Sequence, residues 1–440
     1  MIRLRPHQQR TIDAVRAAFG RKVKRVVIVA PTGFGKTATA STLIAWAVAK
    51  GRRVLFCVHR KEIVRDTHRR LVKAGVTAGL LMADEEPSEA PVQVASVQTI
   101  CARDLCPEAD LVVWDECHHN AAESYRKIAA KYPNAWHLGL TATPERADGQ
   151  GLRDAFDELV VGATVAELQT TINPETGHPY LAACDVINPP KRLDGIAQDP
   201  VKAWQEHAQG RPTVVFCRSV AESKALAAAF EKAGVAARHI SSDSSAAAKT
   251  ARDRDLEAFA RGEVTVLTNV YVLTEGWDAP RAKVCMIARG CGSEGTFLQM
   301  VGRVLREFNG ERALLIDLAG VVIEHGLPEE EREFSLDGIK RKPKKDRVWL
   351  RQCQGCGAVV KGASSGAECA RCGDPWPAPP PTKIAQVKLQ PFSAGSHATR
   401  AQRRADFEAL MTEAFRLGYD AKWAGCRFKE KHGFWPKGLS

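Results

Sequence analysis

The chain has 440 residues, enough for two or three domains that each bury a core of their own. Hydrophobic residues make up 45% and charged residues 26%, which excludes a low-complexity or fibrous chain, and no run approaches the roughly 20 apolar residues that span a bilayer. Lys and Arg outnumber Asp and Glu by 63 to 51, for a formal charge of +12; this suits a polyanionic partner, although solvated lysine faces also produce such a balance.

Of 13 cysteines, four form two close pairs, Cys353/Cys356 and Cys369/Cys372, and the rest are scattered singly. Scattered thiols behave as small buried hydrophobes in a reducing compartment. The opening residues, Met1-Ile2-Arg3-Leu4-Arg5, lack an apolar core of signal-peptide length. The expectation is a cytoplasmic protein with no membrane partner.

In chain order, Arg5-Pro6-His7-Gln8 precedes a helical pattern with Ile12, Val15 and Phe19 on one face. A glutamine placed just before a phosphate loop suits paired hydrogen bonds to an adenine edge. A β-branched strand, Val26 to Val29, then runs into Ala30-Pro31-Thr32-Gly33-Phe34-Gly35-Lys36-Thr37 and an alanine-rich helix to Lys50. That order reads as a phosphate-binding loop. Gly33 and Gly35 let backbone N–H groups approach a triphosphate at a helix N-terminus, Lys36 reaches its phosphates, and the Thr37 hydroxyl ligates Mg²⁺. Ala30 stands where the general pattern has its first glycine.

A strand from Arg53 to Val58 leads to His59-Arg60-Lys61-Glu62, and another, Val92 to Ala95, leads to Ser96-Val97-Gln98-Thr99. Strands alternating with helices predict a parallel sheet with ligands gathered at the strand C-terminal ends, where Arg60 and Thr99 face a shared crevice. The strand Asp110 to Trp114 delivers Asp115-Glu116-Cys117-His118. Two carboxylates at the end of an apolar strand are costly unless they serve a metal and a water. Asp115 is assigned to Mg²⁺, Glu116 to the attacking water, and His118 to signalling nucleotide state. A further strand ends in Thr141-Ala142-Thr143-Pro144.

In order and spacing from Gln8 to Pro144, these motifs resemble the first motor domain of superfamily 2 helicases. The resemblance implies two tandem RecA-like α/β domains: domain one over 1–160, a connection over 161–195, and domain two over 196–330. It also implies that Arg5, Thr32 and Phe34 join Gln8, Gly33, Gly35, Lys36, Thr37 and Asp115 in binding ATP.

In the second domain, a strand from Val264 to Thr268 ends in Asn269 to Pro280, similar to the fifth motif of that family. By that resemblance Thr268 contacts a nucleic-acid phosphate, Gly276 makes a turn, and Asp278 lies near the ribose. Gln299-Met300-Val301-Gly302-Arg303-Val304-Leu305-Arg306 places two arginines on one helix face. The family pattern makes Arg303 and Arg306 arginine fingers, with Gln299 beside them. Arg60, Thr99 and Thr268 are the residues expected on the backbone of the nucleic acid.

Beyond residue 330 come a basic stretch over 331–350, a zinc ribbon over 351–376 and a proline-rich linker with a basic aromatic helical tail over 377–440. The run Lys340 to Lys345 reads either as a solvated linker or as a phosphate-binding strip. Cys353, Cys356, Cys369 and Cys372, as two Cys-x2-Cys pairs, suit a structural Zn²⁺ with all four ligands from protein; a redox pair is the competitor. The tail aromatics Tyr419, Trp423, Phe428, Phe434 and Trp435 are either the core of a helical hairpin or a base-stacking surface.

Ribbon and tail together resemble the RadD-type branch, found among bacterial repair proteins and phage-encoded helicases. The implied function is an ATP- and Mg²⁺-dependent DNA helicase or translocase. The alternatives are an RNA helicase, or a nucleotide-switched module whose ribbon or tail recruits a protein partner.

Overall fold

The computed structural model describes residues 3–58, 61–82, 88–119, 123–144, 151–243, 245–337, 350–352, 359–361, 372–373, 382–392, 398–417 and 419–436. Strands that are apolar on both faces, such as Val54-Leu55-Phe56-Cys57-Val58, need helices on either side of a parallel sheet. The first domain supplies them as α1 (Pro6–Gly20), β1 (Arg25–Val29), α2 (Lys36–Ala49), β2 (Val54–Val58), α3 (Lys61–Lys73), β3 (Ala78–Leu81), β4 (Val92–Ser96), α4 (Val97–Ala102), β5 (Leu111–Asp115), α5 (Glu123–Ala130), β6 (Trp136–Thr141) and β7 (Glu158–Val161). The seven strands lie in the order β3-β4-β2-β5-β6-β1-β7, and all neighbours are parallel. The order sets the chemistry. Strand β6 lies between β1, which feeds the phosphate loop, and β5, which ends in Asp115, so three functional tips share one edge.

The connection holds α6 (Val165–Thr170) and a tight turn in which Ile172 bridges Pro179. Its last strand, β8 (Cys184–Asn188), already belongs to the second sheet. The second domain continues with α7 (Pro200–His207), β9 (Thr213–Cys217), α8 (Val220–Lys232), β10 (Ala237–His239), α9 (Ala246–Arg261), β11 (Val266–Asn269), β12 (Val284–Ala288), α10 (Glu294–Val301), β13 (Ala313–Asp317) and α11 (Val321–His325). Side chains of Ser219 and Ser245 accept from backbone N–H groups to cap α8 and α9, and α9 stops at Gly262 with φ +88°. The two parallel-sheet domains agree with the expected tandem RecA-like class.

Among the remaining described residues, β14 (Leu350–Gln352) and β15 (Val359–Lys361) pair antiparallel. The stretch after the prolines, within the proline-rich linker and tail expected over 377–440, packs on the second domain. The backbone of residues 383–387 exchanges hydrogen bonds of 2.8–3.0 Å with Ile196 and Ala197, and β16 (Gln390–Pro391) then adds antiparallel to β8. The physical reason is the otherwise open edge of β8, whose backbone donors and acceptors need partners.

The tail folds as α12 (Arg400–Leu417) and α13 (Ala421–His432). Phe407, Phe428 and Phe434 are buried, with the Phe428 ring 5.7 Å from Phe407 and 5.9 Å from Phe434. Each such ring contributes about 1.5–3 kcal/mol of burial free energy. The buried Arg403 donates to the carbonyl of Ile323 and faces Glu330 at 3.7 Å, which seats α12 on domain two. Three phenylalanines are thus core, whereas Tyr419 and Trp435 remain exposed. Tyr419 stacks on Trp423 at 5.2 Å, and the Arg427 guanidinium lies 5.6 Å from the Trp423 ring. Among the described residues no helix is long and apolar enough to cross a membrane.

Candidate active site

The phosphate loop begins at the buried end of β1. Gly33 and Gly35 have φ of +89° and +91°, values that disfavour any side chain. A Cβ on Gly33 would lie 2.6 Å from Leu181, and one on Gly35 would collide with the Gln8 amide. Gln8 is itself buried. Its Oε1 accepts from Arg5 N at 2.9 Å and its Nε2 donates to Phe34 O at 3.0 Å, so the glutamine expected to read adenine also clamps the loop. Phe34 packs into the core beside His7, with ring centroids 5.0 Å apart. The Arg5 guanidinium lies 4.8 Å from the centroid of the Tyr180 ring. That tyrosine comes from the inter-domain connection.

Lys36 opens α2 and donates to Ala30 O at 3.0 Å. Burial lowers its pKa against the opposing pull of Glu116 and Asp115. Asp115 ends β5 with its carboxyl pushed up to about 7, by burial and then by Glu116, with Lys36 opposing. A carboxylate disfavoured by burial and a like charge is relieved by a cation placed against it. Asp115 and the Thr37 hydroxyl at the mouth of α2 therefore fit the Mg²⁺ assigned to them. Glu116 adopts φ +46°, a left-handed conformation rare outside glycine that concentrates at functional sites. Its backbone N–H donates to Asp115 Oδ1 at 3.1 Å.

His118 lies between the two domains. The Thr141 hydroxyl donates to Thr143 O at 2.6 Å, so it accepts from His118 Nδ1 at 3.0 Å and fixes a proton there. The same Nδ1 is 3.4 Å from Glu116 Oε2, and Nε2 is 3.7 Å from Glu275 Oε1. Burial opposes a charge on the ring, but the two glutamates outweigh it and the pKa is raised.

Domain two closes the cleft. A Cβ on Gly302 would lie 2.8 Å from Thr32, so the Gly-Arg pair packs directly on the phosphate loop. Arg303 is buried and donates to Trp277 O at 2.6 Å; burial lowers its pKa while Glu116 and Glu275 pull the other way. Arg306 pairs with Asp278, its pKa lowered to about 10 by burial and by Arg70. The buried Lys283 holds Arg306 from behind by donating to its carbonyl at 2.8 Å. Gln299 Nε2 donates to Glu275 Oε1 at 3.4 Å.

One cleft of about 780 Å³ is lined by Thr32, Lys36 and Thr37 from the loop, by Asp115 and Glu116, and by Gly276, Asp278, Arg303 and Arg306 from the other domain. Arg5 and Gln8 also line it, as do connection residues 173–176, Pro179 and Tyr180. His118 and Gln299 are not among its lining residues. Glu275 lies inside the stretch Asn269 to Pro280 without having been singled out, whereas Lys283, 23 residues from Arg306 in the chain, and the Tyr180 turn belong to no motif.

Thr99 and Thr268 are placed differently from the expectation. Thr99 is buried with its hydroxyl on Ser96 at 2.9 Å, and the fully buried Thr268 donates to Ser223 O at 2.8 Å. Both hydroxyls tie a strand end to a helix, Thr99 of α4 to Ser96 at the end of β4 and Thr268 of β11 to Ser223 of α8, and both are buried. Arg60 lies outside the described residues, as do Cys353, Cys356 and Cys369, while Cys372 is described and exposed. Among the described residues no group of three or more His, Cys, Asp or Glu is placed to hold a metal ion.

Comparison with known proteins points the same way. Residues 1–146 match the model of the type III restriction enzyme res subunit, and residues 196–307 match the helicase conserved C-terminal domain. A 51.5 kDa protein of a Lactococcus phage is 30% identical over 354 residues, covering 76% of this chain and 75% of its own. The chain belongs to the superfamily 2 helicases. Two further members of this superfamily set its range. A Schizosaccharomyces pombe protein provisionally named as the mitochondrial ATP-dependent helicase irc3 is 31% identical over 72% of this chain and 57% of its own. The DNA 3'-5' translocase XPB2 of Sulfurisphaera tokodaii is 25% identical over 72% of this chain and 81% of its own. The helicase chain thus spans little more than half of the yeast relative.

Proposed function

We propose that this superfamily 2 helicase is a DNA-dependent ATPase that moves on or opens DNA. The observation that carries the reading is the shared cleft: Lys36 and Glu116 come from one domain, Arg303 and Arg306 from the other, and all four line it. Lys36 and the loop backbone bind the phosphates, Gly33 and Gly35 letting N–H groups approach. Glu116 takes a proton from the attacking water, and the two arginines face the charge that develops on the transferring phosphoryl group. Mg²⁺, held by Thr37 and Asp115 when bound, supplies charge neutralisation at the phosphate oxygens. Because neither domain holds the full set, turnover needs closure, and closure changes the grip on a strand that crosses both domains. The translocase relative and the basic charge support DNA as that strand.

The test is ATP hydrolysis by the purified chain without nucleic acid and with single-stranded DNA, duplex DNA or RNA of equal length. Stimulation by DNA of at least about tenfold, weakening as salt rises, is expected of a motor that grips phosphates. Equal rates in all four conditions would sink the motor, and stimulation by RNA alone would reassign the substrate.

We further infer that Cys353, Cys356, Cys369 and Cys372 hold one structural Zn²⁺, a reading supported by their paired spacing. Elemental analysis of the purified protein is expected to find one zinc per chain and much less after Cys353→Ser. A metal-free wild type would remove the ribbon. The narrower RadD-type placement rests on this ribbon and the tail.

A further inference from the structure

Glu275 is a third carboxylate in the cleft region, beside Asp115 and Glu116, and phosphate binding, metal binding and water activation leave it without a role. It follows the 3₁₀ turn Val272–Thr274 and precedes Gly276, whose φ of +71° swings the chain toward Trp277 and Asp278. Its side chain is only 7% exposed. Leu273 and Thr274 beside it are buried, so an apolar residue would fill the space without the several kcal/mol that burying a charge costs. The carboxylate is aimed across the domain boundary. Oε1 accepts from Gln299 Nε2 at 3.4 Å on its own side and faces His118 Nε2 at 3.7 Å on the other. His118 is anchored at Nδ1 by Thr141 at 3.0 Å, with Glu116 Oε2 3.4 Å away. Gln299, Glu275, His118 and Glu116 therefore form a continuous polar line from domain two to the group that activates water.

We propose that Glu275 is a positioning residue that, through His118, holds the Glu116 carboxylate in its working orientation only while domain two is seated. Resting on the ATP-hydrolysing reading of the cleft, it explains how closure is sensed by the base as well as by the arginine fingers. Glu275 is not among the residues that line the cleft. With Glu275 lost, His118 keeps Thr141 but loses the Glu275 contact across the domain boundary, and Glu116 loses a neighbour of fixed orientation. Nucleotide binding, which rests on the phosphate loop, is untouched.

The experiment compares kcat and KM for ATP with saturating single-stranded DNA in wild type, Glu275→Gln, His118→Ala and the double variant, with nucleotide affinity measured on each. Glu275→Gln keeps the size of the side chain and one acceptor. It is expected to lower kcat by about 10- to 100-fold, as loss of a supporting partner does, with KM changed less than about twofold. His118→Ala, which leaves domain two intact, is expected to give a loss of the same order. The double variant then loses less than about twofold more, because both act on one element. Losses that multiply would overturn the line from Glu275 through His118. So would a Glu275→Gln protein with wild-type kcat, or one whose deficit lies in KM or nucleotide affinity. Wild type that hydrolyses no ATP would overturn the cleft's reading and this role with it; active wild type with any of those variant results would overturn the role of Glu275 alone.

Discussion

Arg306→Ala is expected to lower DNA-stimulated ATP turnover by about 10³- to 10⁵-fold, the range for loss of an arginine finger. The substitution is clean because the backbone at this position is held independently of the guanidinium: Lys283 Nζ donates to its carbonyl at 2.8 Å, and Leu181 pairs with it in a β-bridge. Alanine removes the charge and leaves the cleft wall standing. ATP affinity is expected to stay within a few-fold, since most ground-state binding comes from domain one. Arg306→Lys should recover only part of the loss, because an ammonium lacks the planar fork of the guanidinium. Arg303→Ala makes a less direct probe, since Arg303 donates at 2.6 Å to Trp277 O and its loss also frees that carbonyl. Single-turnover hydrolysis separates the steps. A variant at Arg306 with wild-type kcat would show that the residue only pairs with Asp278.

Glu116→Gln is expected to cost about 10²- to 10⁴-fold in kcat, the usual contribution of a positioned general base. The amide keeps the shape and hydrogen-bonding reach of the carboxylate but accepts no proton from water. Its left-handed φ of +46° is set by the turn after β5 and by the Asp115 carboxylate accepting from its N–H at 3.1 Å, so the side-chain change leaves the backbone as it is. One negative charge beside the phosphate site disappears, which favours binding of the anionic nucleotide. The variant should therefore bind ATP at least as well as wild type and accumulate a DNA complex that does not turn over. Rapid-quench hydrolysis with parallel DNA-binding measurements checks both halves. Normal turnover in this variant would remove Glu116 as the base.

How much of this site could be read from residues alone follows from how local each part is. The phosphate loop and the Asp115-Glu116 pair are short runs at strand ends, and the parallel alternation carries their tips to one edge without further information. Arg303 and Arg306, expected on one helix face, instead lie beyond the end of α10 at Val301, Arg303 in a turn and Arg306 in a β-bridge with Leu181. Side-chain direction is another matter. Thr99 meets Ser96 in a local contact three residues apart, but nothing in the order of residues shows that the Thr268 hydroxyl turns inward to Ser223, 45 residues away, because that neighbour is set by packing. The same holds for Gln8, whose amide is committed at both ends to the backbone of Arg5 and Phe34. Glu275 and Tyr180 matter only through a contact across a domain boundary. In the sequence one looks like an acidic loop residue and the other like an aromatic in a turn. The strand over Gln390–Pro391 was hidden for a plainer reason: two residues carry no period, and only the open edge of β8 gives them a place.

That late strand shapes how the second domain comes to be folded. Its sheet has the order β10-β11-β9-β12-β13-β8-β16, so the outer rim of β8 is completed only when the chain has been made as far as Pro391. During synthesis β8 presents an unpaired rim to its surroundings while everything between it and β16 is still being added, and such rims recruit strands from other chains. A chain cut after residue 337 keeps every residue of the cleft yet leaves that rim open for good. Its difficulty in the test tube would be self-association at moderate concentration, with nucleotide chemistry intact in whatever fraction stays dispersed.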